Sequence, residues 1–199
     1  MNIHMPQLIF LVGLGSYIAI REVYQRRIGE SEATVQRSSA SDRLLVALVF
    51  LGQTLVPALY LFTPWLNGAS YELPRALAWL GAAILAAGLW VFWRSHADLG
   101  KNWSVSLKLR SDHRLVTHGV YRMVRHPMYS SFLLFGVGQA LLLPNGLAGA
   151  SALIAVALMC IFRVPREEAM MCEHFGQEYR EYMQRTGRVA PRVGLIRDA

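Results

Sequence analysis

The sequence predicts an all-α integral membrane protein with about five transmembrane helices. Of its 199 residues, 54% are hydrophobic and only 17% are charged. The mean hydropathy is +0.30, which is too apolar for an ordinary soluble domain of this length. Long apolar stretches recur along the chain, and the basic residues between them alternate by loop. A soluble helical protein would not require that alternation, so we interpret the apolar stretches as membrane spans.

Four apolar stretches contain the predicted spans: residues 5–20, 44–66, 76–93 and 129–164. A spanning helix needs about 20 predominantly apolar residues, so the second and third suit a span, the first is marginal and the fourth is too long for one helix. The turn formers at 144–146 divide the fourth into a tight helical hairpin. Pro57 and Pro64 predict a bend or an end in the second stretch.

The distribution of lysine and arginine predicts the orientation of these spans. Residues 21–43 hold five of the 20 basic residues, residues 94–125 hold seven and residues 163–199 hold seven, while Arg75 stands alone. In a five-span arrangement 19 of them fall on one side, and basic residues accumulate on the cytoplasmic side. We therefore expect a multi-pass protein with its N-terminus outside and its C-terminus in the cytoplasm, in a prokaryotic inner membrane.

Nucleic acid and metal ions are not expected as partners. The formal net charge is +7, but no stretch resembles a groove-reading helix or a base-stacking platform, and the membrane topology accounts for the basic residues. The six histidines include no HxxxH pair on one helix and no Cys/His pair at ligand spacing. A serine hydrolase is not indicated either, because no GxSxG motif is present.

The chain divides into an N-terminal three-helix membrane region, residues 1–93, and a second region, residues 94–199, that holds the informative motifs. The second region opens with a cytoplasmic loop of about thirty residues, a length that is typical of functional loops. It closes with a predicted amphipathic helix that starts near Pro165 and stops at Gly187. We expect the catalytic chemistry in this second region.

Two polar groups border the hairpin and are candidates for a site. Arg163 and Glu167 stand four residues apart and would share one helix face. Arg125, His126 and Tyr129 stand where the long loop meets the first arm of the hairpin. A surface salt bridge, an interfacial arginine and an aromatic belt residue are the alternative interpretations. Ionisable residues that face a membrane bundle are otherwise typical of a functional site.

Two ordered motifs resemble the isoprenylcysteine carboxyl methyltransferase family. "LGKNWS" followed by "LVTHGVYRMVRHPMY" forms the first, and "RVPREEAMMCEHFGQEYREY" follows some forty residues later. The resemblance extends from about Leu99 to Pro191. It implies an integral membrane methyltransferase that uses S-adenosyl-L-methionine, with a cofactor pocket formed by the loop, the hairpin and the last helix.

The resemblance also implies roles for single residues. Arg163 matches an arginine that addresses the substrate and Glu167 matches a cofactor-binding glutamate, so these two are the expected catalytic residues. Other matches to cofactor-contacting positions are the strand-like stretch, one tyrosine and the RHPxY segment: His113, Arg114, Leu115, Val116, Tyr121, His126, Pro127, Met128 and Tyr129.

The residue types suit methyl transfer, because the sulfonium of such a cofactor already activates the methyl group and the protein mainly has to align the reactants. The zwitterionic methionine moiety needs a carboxylate such as Glu167 and a donor such as His126. A carboxylate acceptor is ionised at neutral pH and needs no general base. An amine or hydroxyl acceptor would need one, and Glu168 or His126 would be the candidates.

We therefore expect methyl transfer to a lipophilic acceptor that arrives from the bilayer, most like carboxyl O-methylation of an isoprenylcysteine. Phospholipid N-methylation and thiol S-methylation are alternatives within the same class. An NADPH-dependent membrane reductase with a similar pocket is a second class, and a non-catalytic membrane scaffold is a third.

Overall fold

The computed structural model describes residues 4–28, 35–36, 40–100, 108–109 and 115–192. These residues form the helices α1 (Met5–Ile28), α2 (Ala40–Phe50), α3 (Val56–Phe62), α4 (Arg75–Leu99), α5 (Pro127–Leu142), α6 (Gly146–Phe162), α7 (Val164–Phe175) and α8 (Gln177–Arg185). A π-helical turn, Leu51–Leu55, joins α2 to α3, and Gly119–Arg122 forms a 3₁₀ turn. The short strands β1 (Val35–Gln36) and β2 (Lys108–Leu109) pair antiparallel.

The expectation of a helical membrane protein is confirmed. Four stretches of the described residues are long and apolar enough to span a membrane: Met5–Arg26, Ala40–Phe62, Arg75–Leu99 and Gly146–Phe175. Helix α5 is apolar but has only 16 residues. Large apolar side chains such as Trp79 and Ile154 are exposed on the outside of the bundle, as lipid-facing residues are. The number of five spans stays a prediction.

Helix α5 lies at the centre of the bundle because small residues let α4 approach it closely. A Cβ atom at Gly81 of α4 would lie 2.7 Å from Cβ of Leu141, and one at Gly88 would lie 3.1 Å from Cβ of Leu134. Small residues at helix contacts are typical of membrane bundles, in which close backbone packing stabilises association. On its other side α5 packs on α6, so the ends of α4 and α6 meet the start of α5.

The second span contains a π-helical turn that ends at Leu55, two residues before Pro57, and the bend predicted there stays a prediction. Proline lacks an N–H and its ring displaces the carbonyl of the preceding turn. The carbonyl of Gly52 accepts hydrogen bonds from Nε2 of Gln139, at 2.9 Å, and from the hydroxyl of Ser151, at 2.8 Å. Helix α3 then ends at Phe62, two residues before Pro64, as the restriction on the residue before proline predicts.

The predicted hairpin is present, with α5 and α6 joined across residues 143–145. Asn145 is the N-cap of α6, and its side chain accepts hydrogen bonds from the backbone N–H groups of Leu147 and Ala148. Its Nδ2 atom donates to the carbonyl of Leu66 at 2.6 Å, which fixes the turn to the end of the second span. Asparagine at this position is a strong N-cap because its carbonyl oxygen satisfies otherwise unpaired N–H groups.

Helix α4 continues to Leu99, so the expected boundary between residues 93 and 94 falls inside a helix. The division of the chain into two regions stays a proposal. The single helix expected from Pro165 to Gly187 is two helices, α7 and α8. They meet at Gly176, whose φ of +56° is a conformation that glycine adopts without steric cost. The prediction of one continuous helix through Gly176 was therefore wrong.

Candidate active site

Glu167 joins three elements at the end of the bundle where α5 begins and α6 ends. Its Oε1 atom accepts a hydrogen bond of 2.7 Å from the hydroxyl of Tyr129 and one of 3.0 Å from Nε of Arg163. Its Oε2 atom lies 3.5 Å from Nδ1 of His126. The expected pairing of Arg163 with Glu167 is thus present. The side chain of Arg163 is only 9% exposed, so this is not the surface salt bridge of the alternative interpretation.

His126 lies between two carboxylates. Its Nδ1 atom faces Glu167, and its Nε2 atom lies 3.4 Å from Oε1 of Glu168, in a geometry that does not form a hydrogen bond. Burial alone would lower the pKa of His126, but the close approach and negative charge of both glutamates outweigh burial and raise this pKa above its ordinary value. His126 therefore keeps its proton to a higher pH than a free histidine.

Glu168 is held by two arginines. Nε of Arg125 donates to its Oε1 atom at 3.0 Å, and Nη2 of Arg188 donates to its Oε2 atom. The Glu168 side chain is 5% exposed, that of Arg125 is 8% exposed and that of Arg188 is 50% exposed. A buried carboxylate needs such paired donors to offset its desolvation. Arg125, which could have been a headgroup anchor, instead pairs with the second glutamate of α7.

The segment after α8, residues 186–189, forms a C-terminal strap across the start of α5. The backbone N–H of Arg125 donates to the carbonyl of Gly187 at 2.8 Å, and that of His126 donates to the carbonyl of Arg188 at 3.0 Å. The hydroxyl of Ser130 donates to the carbonyl of Val189 at 2.6 Å. Nη1 of Arg125 also donates to the carbonyl oxygens that end α8. The strap thereby fixes the backbone that carries His126.

Tyr121 anchors the 3₁₀ turn on two sides. Its hydroxyl lies 3.3 Å from the carbonyl of Ser95 on α4, and its own carbonyl accepts a hydrogen bond of 2.6 Å from the hydroxyl of Tyr182 on α8. Burial raises the pKa of Tyr121 far above its ordinary value, so its hydroxyl stays protonated. The predicted role in contacting a cofactor stays a prediction.

The other predicted site residues are distributed as follows. Pro127 is buried at the start of α5, and Met128 is half-buried and packs on the apolar cluster that contains Tyr129. Leu115 and Val116 are half-buried. His113 and Arg114 lie outside the described residues. The structure thus brings His126, Tyr129, Arg163 and Glu167 together, and Tyr121 lies in the 3₁₀ turn that precedes α5.

Several residues of the site carried no clear signal in the sequence. Glu168 was a candidate only as a general base, and Arg188 and Tyr182 were not candidates. Asp42 at the start of α2 is buried, and its Oδ1 atom lies 3.5 Å from Nη1 of Arg166 on α7. This contact ties the N-terminal region to the helix that carries both glutamates.

The fold and the cluster define a class: a multi-helix membrane protein with a buried, ionisable site at one end of its bundle. Residues 79–173 match the model of the isoprenylcysteine carboxyl methyltransferase (ICMT) family. This region, just under half of the chain, is what resembles that family. The match includes α5, α6 and both glutamates of α7, and it excludes α1, α2, α3 and the strap.

Curated proteins of the same description are similar to part of this chain. A probable protein-S-isoprenylcysteine O-methyltransferase of Oryza sativa subsp. indica is 38% identical over 81 residues, 41% of this chain and 42% of that protein. Protein-S-isoprenylcysteine O-methyltransferase A of Arabidopsis thaliana is 35% identical over 112 residues, 56% of this chain and 52% of that protein. The chain spans about half the length of the curated relatives it matches.

A solved structure shares the fold. It is the eukaryotic intramembrane Ras methyltransferase ICMT without a monobody, which matches with a TM-score of 0.58 and 26% sequence identity. The match covers 91% of this chain and 62% of that chain. The similarity of fold therefore reaches well beyond residues 79–173, into the N-terminal helices for which the sequence offered no motif.

Proposed function

We propose that this protein transfers a methyl group from S-adenosylmethionine to the carboxylate of a lipophilic acceptor, most like an isoprenylcysteine. One observation carries the proposal: Glu168 and His126, the two candidate general bases, are both unsuited to removing a proton from an acceptor. Glu168 is paired with Arg125 and Arg188, and the raised pKa of His126 favours its protonated form. A carboxylate acceptor is already ionised and needs no base, whereas an amine or hydroxyl acceptor does.

The donor set around Glu167 suits the methionine end of the methyl donor. When bound, S-adenosylmethionine supplies a methyl group that its sulfonium has activated. A carboxylate has about four lone-pair positions, and among the described residues Glu167 has three polar neighbours: Tyr129, Arg163 and His126. Its Oε2 atom, which faces His126, could also accept from an ammonium group. Nε2 of His126 is buried, makes no hydrogen bond to the part of the chain that the structure describes, and could donate to the carboxylate of the same ligand.

The charge of the cluster favours an anionic acceptor. Three arginines face two glutamates there, which leaves a formal charge of +1 before His126 is counted. Arg163 lies where α6 ends, beside the apolar cluster that contains Tyr129 and Met159. A lipophilic carboxylate could keep its chain in apolar surroundings and bring its charge to Arg163. The names of the relatives fit this acceptor class, since they are isoprenylcysteine O-methyltransferases.

The proposed orientation places this cluster at the cytoplasmic face. The basic residues of the connector, the long loop and the C-terminal segment would lie together in the cytoplasm. A charged cofactor could then arrive from water while the acceptor arrives from the bilayer. The relatives named above are eukaryotic, so the expectation of a prokaryotic inner membrane stays a prediction. A reporter fused after Ala199 that appears outside the cytoplasm would contradict the orientation.

Labelled methyl transfer tests the function. Detergent-purified protein is incubated with S-adenosylmethionine carrying a labelled methyl group and with one acceptor at a time: a farnesylcysteine derivative, phosphatidylethanolamine, a small thiol or a fatty acid. We expect base-labile label on the prenylcysteine, as a methyl ester gives. Arg163→Ala should abolish the transfer, while Arg180→Ala, which removes an exposed arginine of α8, should retain it.

Other outcomes separate the alternatives. Label on phosphatidylethanolamine or on the thiol would overturn the carboxylate acceptor and keep the methyl donor. No heat of binding with S-adenosylmethionine or S-adenosylhomocysteine, together with thermal stabilisation by NADPH, would overturn methyl transfer and support a reductase.

A further inference from the structure

The last turn of α4 holds the 3₁₀ turn at Gly119–Arg122 through a buried carboxylate. The Oδ2 atom of Asp98 accepts a hydrogen bond of 2.9 Å from the backbone N–H of Val120. Its Oδ1 atom accepts one of 2.6 Å from Nη2 of Arg94. The Asp98 side chain is 7% exposed. The first N–H groups of a short helical turn have no partner within the turn, and Asp98 supplies one from a different helix, 22 residues earlier in the chain.

Gly119 is the residue that permits this contact. Its φ is +60°, and a Cβ atom there would lie 2.0 Å from Oδ2 of Asp98. Any other residue would both strain the backbone and displace the carboxylate. Gly176 has a similar φ of +56°, but a Cβ atom there would meet nothing within 4 Å. The approach of Asp98 therefore distinguishes Gly119 from a glycine that is needed for its backbone conformation alone.

The segment from Val120 to His126 forms one wall of the candidate site, and the turn that Asp98 holds is the first end of this wall. At its other end, Arg125 and His126 are fixed by the strap. Between these two anchors Tyr121 contacts Ser95 and Tyr182. The position of the wall relative to α7 is consequently set by α4 at one end and by the strap at the other. Within the described residues, Asp98 is the one carboxylate that accepts a hydrogen bond from this turn.

We propose that Asp98 is a positioning residue for methyl-donor binding, which acts by holding the Val120–Tyr121 backbone, and that Gly119 is required with it. This inference rests on the proposed function, because it concerns the donor that the wall would bind. Asp98 does not touch the reacting atoms. Its effect should appear in the affinity for the donor and not in the affinity for the acceptor.

Titration calorimetry with S-adenosylhomocysteine, combined with methyl-transfer kinetics, tests the role of Asp98. Asp98→Ala removes one buried hydrogen bond to a charged acceptor. We therefore expect its Kd for S-adenosylhomocysteine to rise roughly tenfold or more. The KM for the donor should rise with it, and the KM for the acceptor should stay unchanged. Asp98→Asn keeps an oxygen that can accept from Val120, so it should restore the Kd to within about threefold of the original.

Arg94→Gln separates the turn contact from the salt bridge. It removes the partner of Oδ1 and leaves the contact between Oδ2 and Val120, so its Kd should resemble that of the unchanged protein. Gly119→Ala should weaken donor binding as strongly as Asp98→Ala. Gly176→Ala is the matched control, because it imposes a similar backbone strain without displacing Asp98, and it should bind the donor normally.

The results distinguish this inference from the proposed function. If the unchanged protein binds no S-adenosylhomocysteine, the proposed function fails. If it binds and Asp98→Ala binds equally well, the positioning role is wrong. Equal loss in Asp98→Ala and Asp98→Asn would also overturn it, because the amide retains the acceptor. If Asp98→Ala does not fold, Gly119→Ala compared with Gly176→Ala carries the same test.

Discussion

The hydroxyl of Tyr129 donates a hydrogen bond of 2.7 Å to Oε1 of Glu167, the same oxygen that accepts from Nε of Arg163 at 3.0 Å. The first turn of α5 and the first turn of α7 are thereby joined through one carboxylate. Sharing the oxygen fixes the direction of Glu167 and leaves its other oxygen facing His126. The orientation of this carboxylate consequently depends on a phenol as much as on an arginine.

Tyr129→Phe should weaken both donor binding and methyl transfer while the protein stays folded. The change removes one hydrogen bond to a charged group, worth about 1.5–3 kcal/mol, which corresponds to roughly a tenfold or greater loss. Titration with S-adenosylhomocysteine and kinetics with labelled donor measure it. Tyr71→Phe, at an exposed tyrosine, is the control. Normal affinity in Tyr129→Phe would show that Glu167 is oriented without the phenol.

The stability of the protein should fall as pH rises above the ordinary pKa of histidine. The folded pKa of His126 is raised by Glu167 and Glu168, so above about pH 6.5 the folded state keeps a proton that the unfolded state has lost. The stabilisation is complete below that pH and is lost as pH rises through the folded pKa. Thermal unfolding in detergent, measured across this pH range, gives the slope of the unfolding midpoint against pH.

Two histidine variants test the origin of that slope. His126→Gln should remove it, because the imidazole that faces the two glutamates is then absent. His174→Gln changes an exposed histidine of α7 and should retain the slope. A slope that persists in His126→Gln would assign it to other groups.

Arg125→Ala should loosen α8 and the strap. The guanidinium holds both Glu168 and the carbonyl oxygens of Met183 and Thr186, and removing one partner of a buried ion pair costs about 3–5 kcal/mol. Hydrogen exchange should accelerate over residues 177–189 more than in α4. Arg180→Ala is the control on the same helix. Unchanged exchange over residues 177–189 would mean that the strap is held without Arg125.

Gly52→Ala should destabilise the bundle by about 1–3 kcal/mol, because it forces a methyl group against backbone. A Cβ atom there would lie 2.7 Å from the carbonyl oxygen of Ser151, and neither backbone can yield easily. Gly15→Ala, where a Cβ atom would meet nothing within 4 Å, should be neutral or slightly stabilising. Thermal unfolding in detergent compares the two. Equal midpoints would show that α6 adjusts to the added methyl group.

The apolar stretches, the hairpin turn and the membrane class could be predicted because each has a local signature in the chain. Composition identifies a span, and the Pro-Asn-Gly sequence identifies the turn at Asn145. The pairing of Arg163 with Glu167 was predictable for the same reason, since four residues make one helical turn. The break at Gly176 was missed because a single glycine inside an amphipathic pattern is compatible with a continuous helix.

The remaining contacts of the site could not be read from the sequence, because they join residues that are far apart in the chain. Arg125 bonds to residues 58 and 61 positions later, and Asp98 bonds to Val120 across a whole loop. No spacing rule connects such positions. Their side chains also have ordinary surface roles elsewhere, so an arginine at the membrane boundary suggested a headgroup anchor before its partners were known.

The strap has a consequence for the order of assembly. Gly187 and Arg188 are synthesised after every apolar segment, yet their carbonyl oxygens hold the backbone of Arg125 and His126. The helices can therefore enter the bilayer before the polar cluster is complete, because the strap has to be made first. During synthesis, the growing protein would be inserted in the membrane with an incomplete cluster until Gly187 and Arg188 have been added.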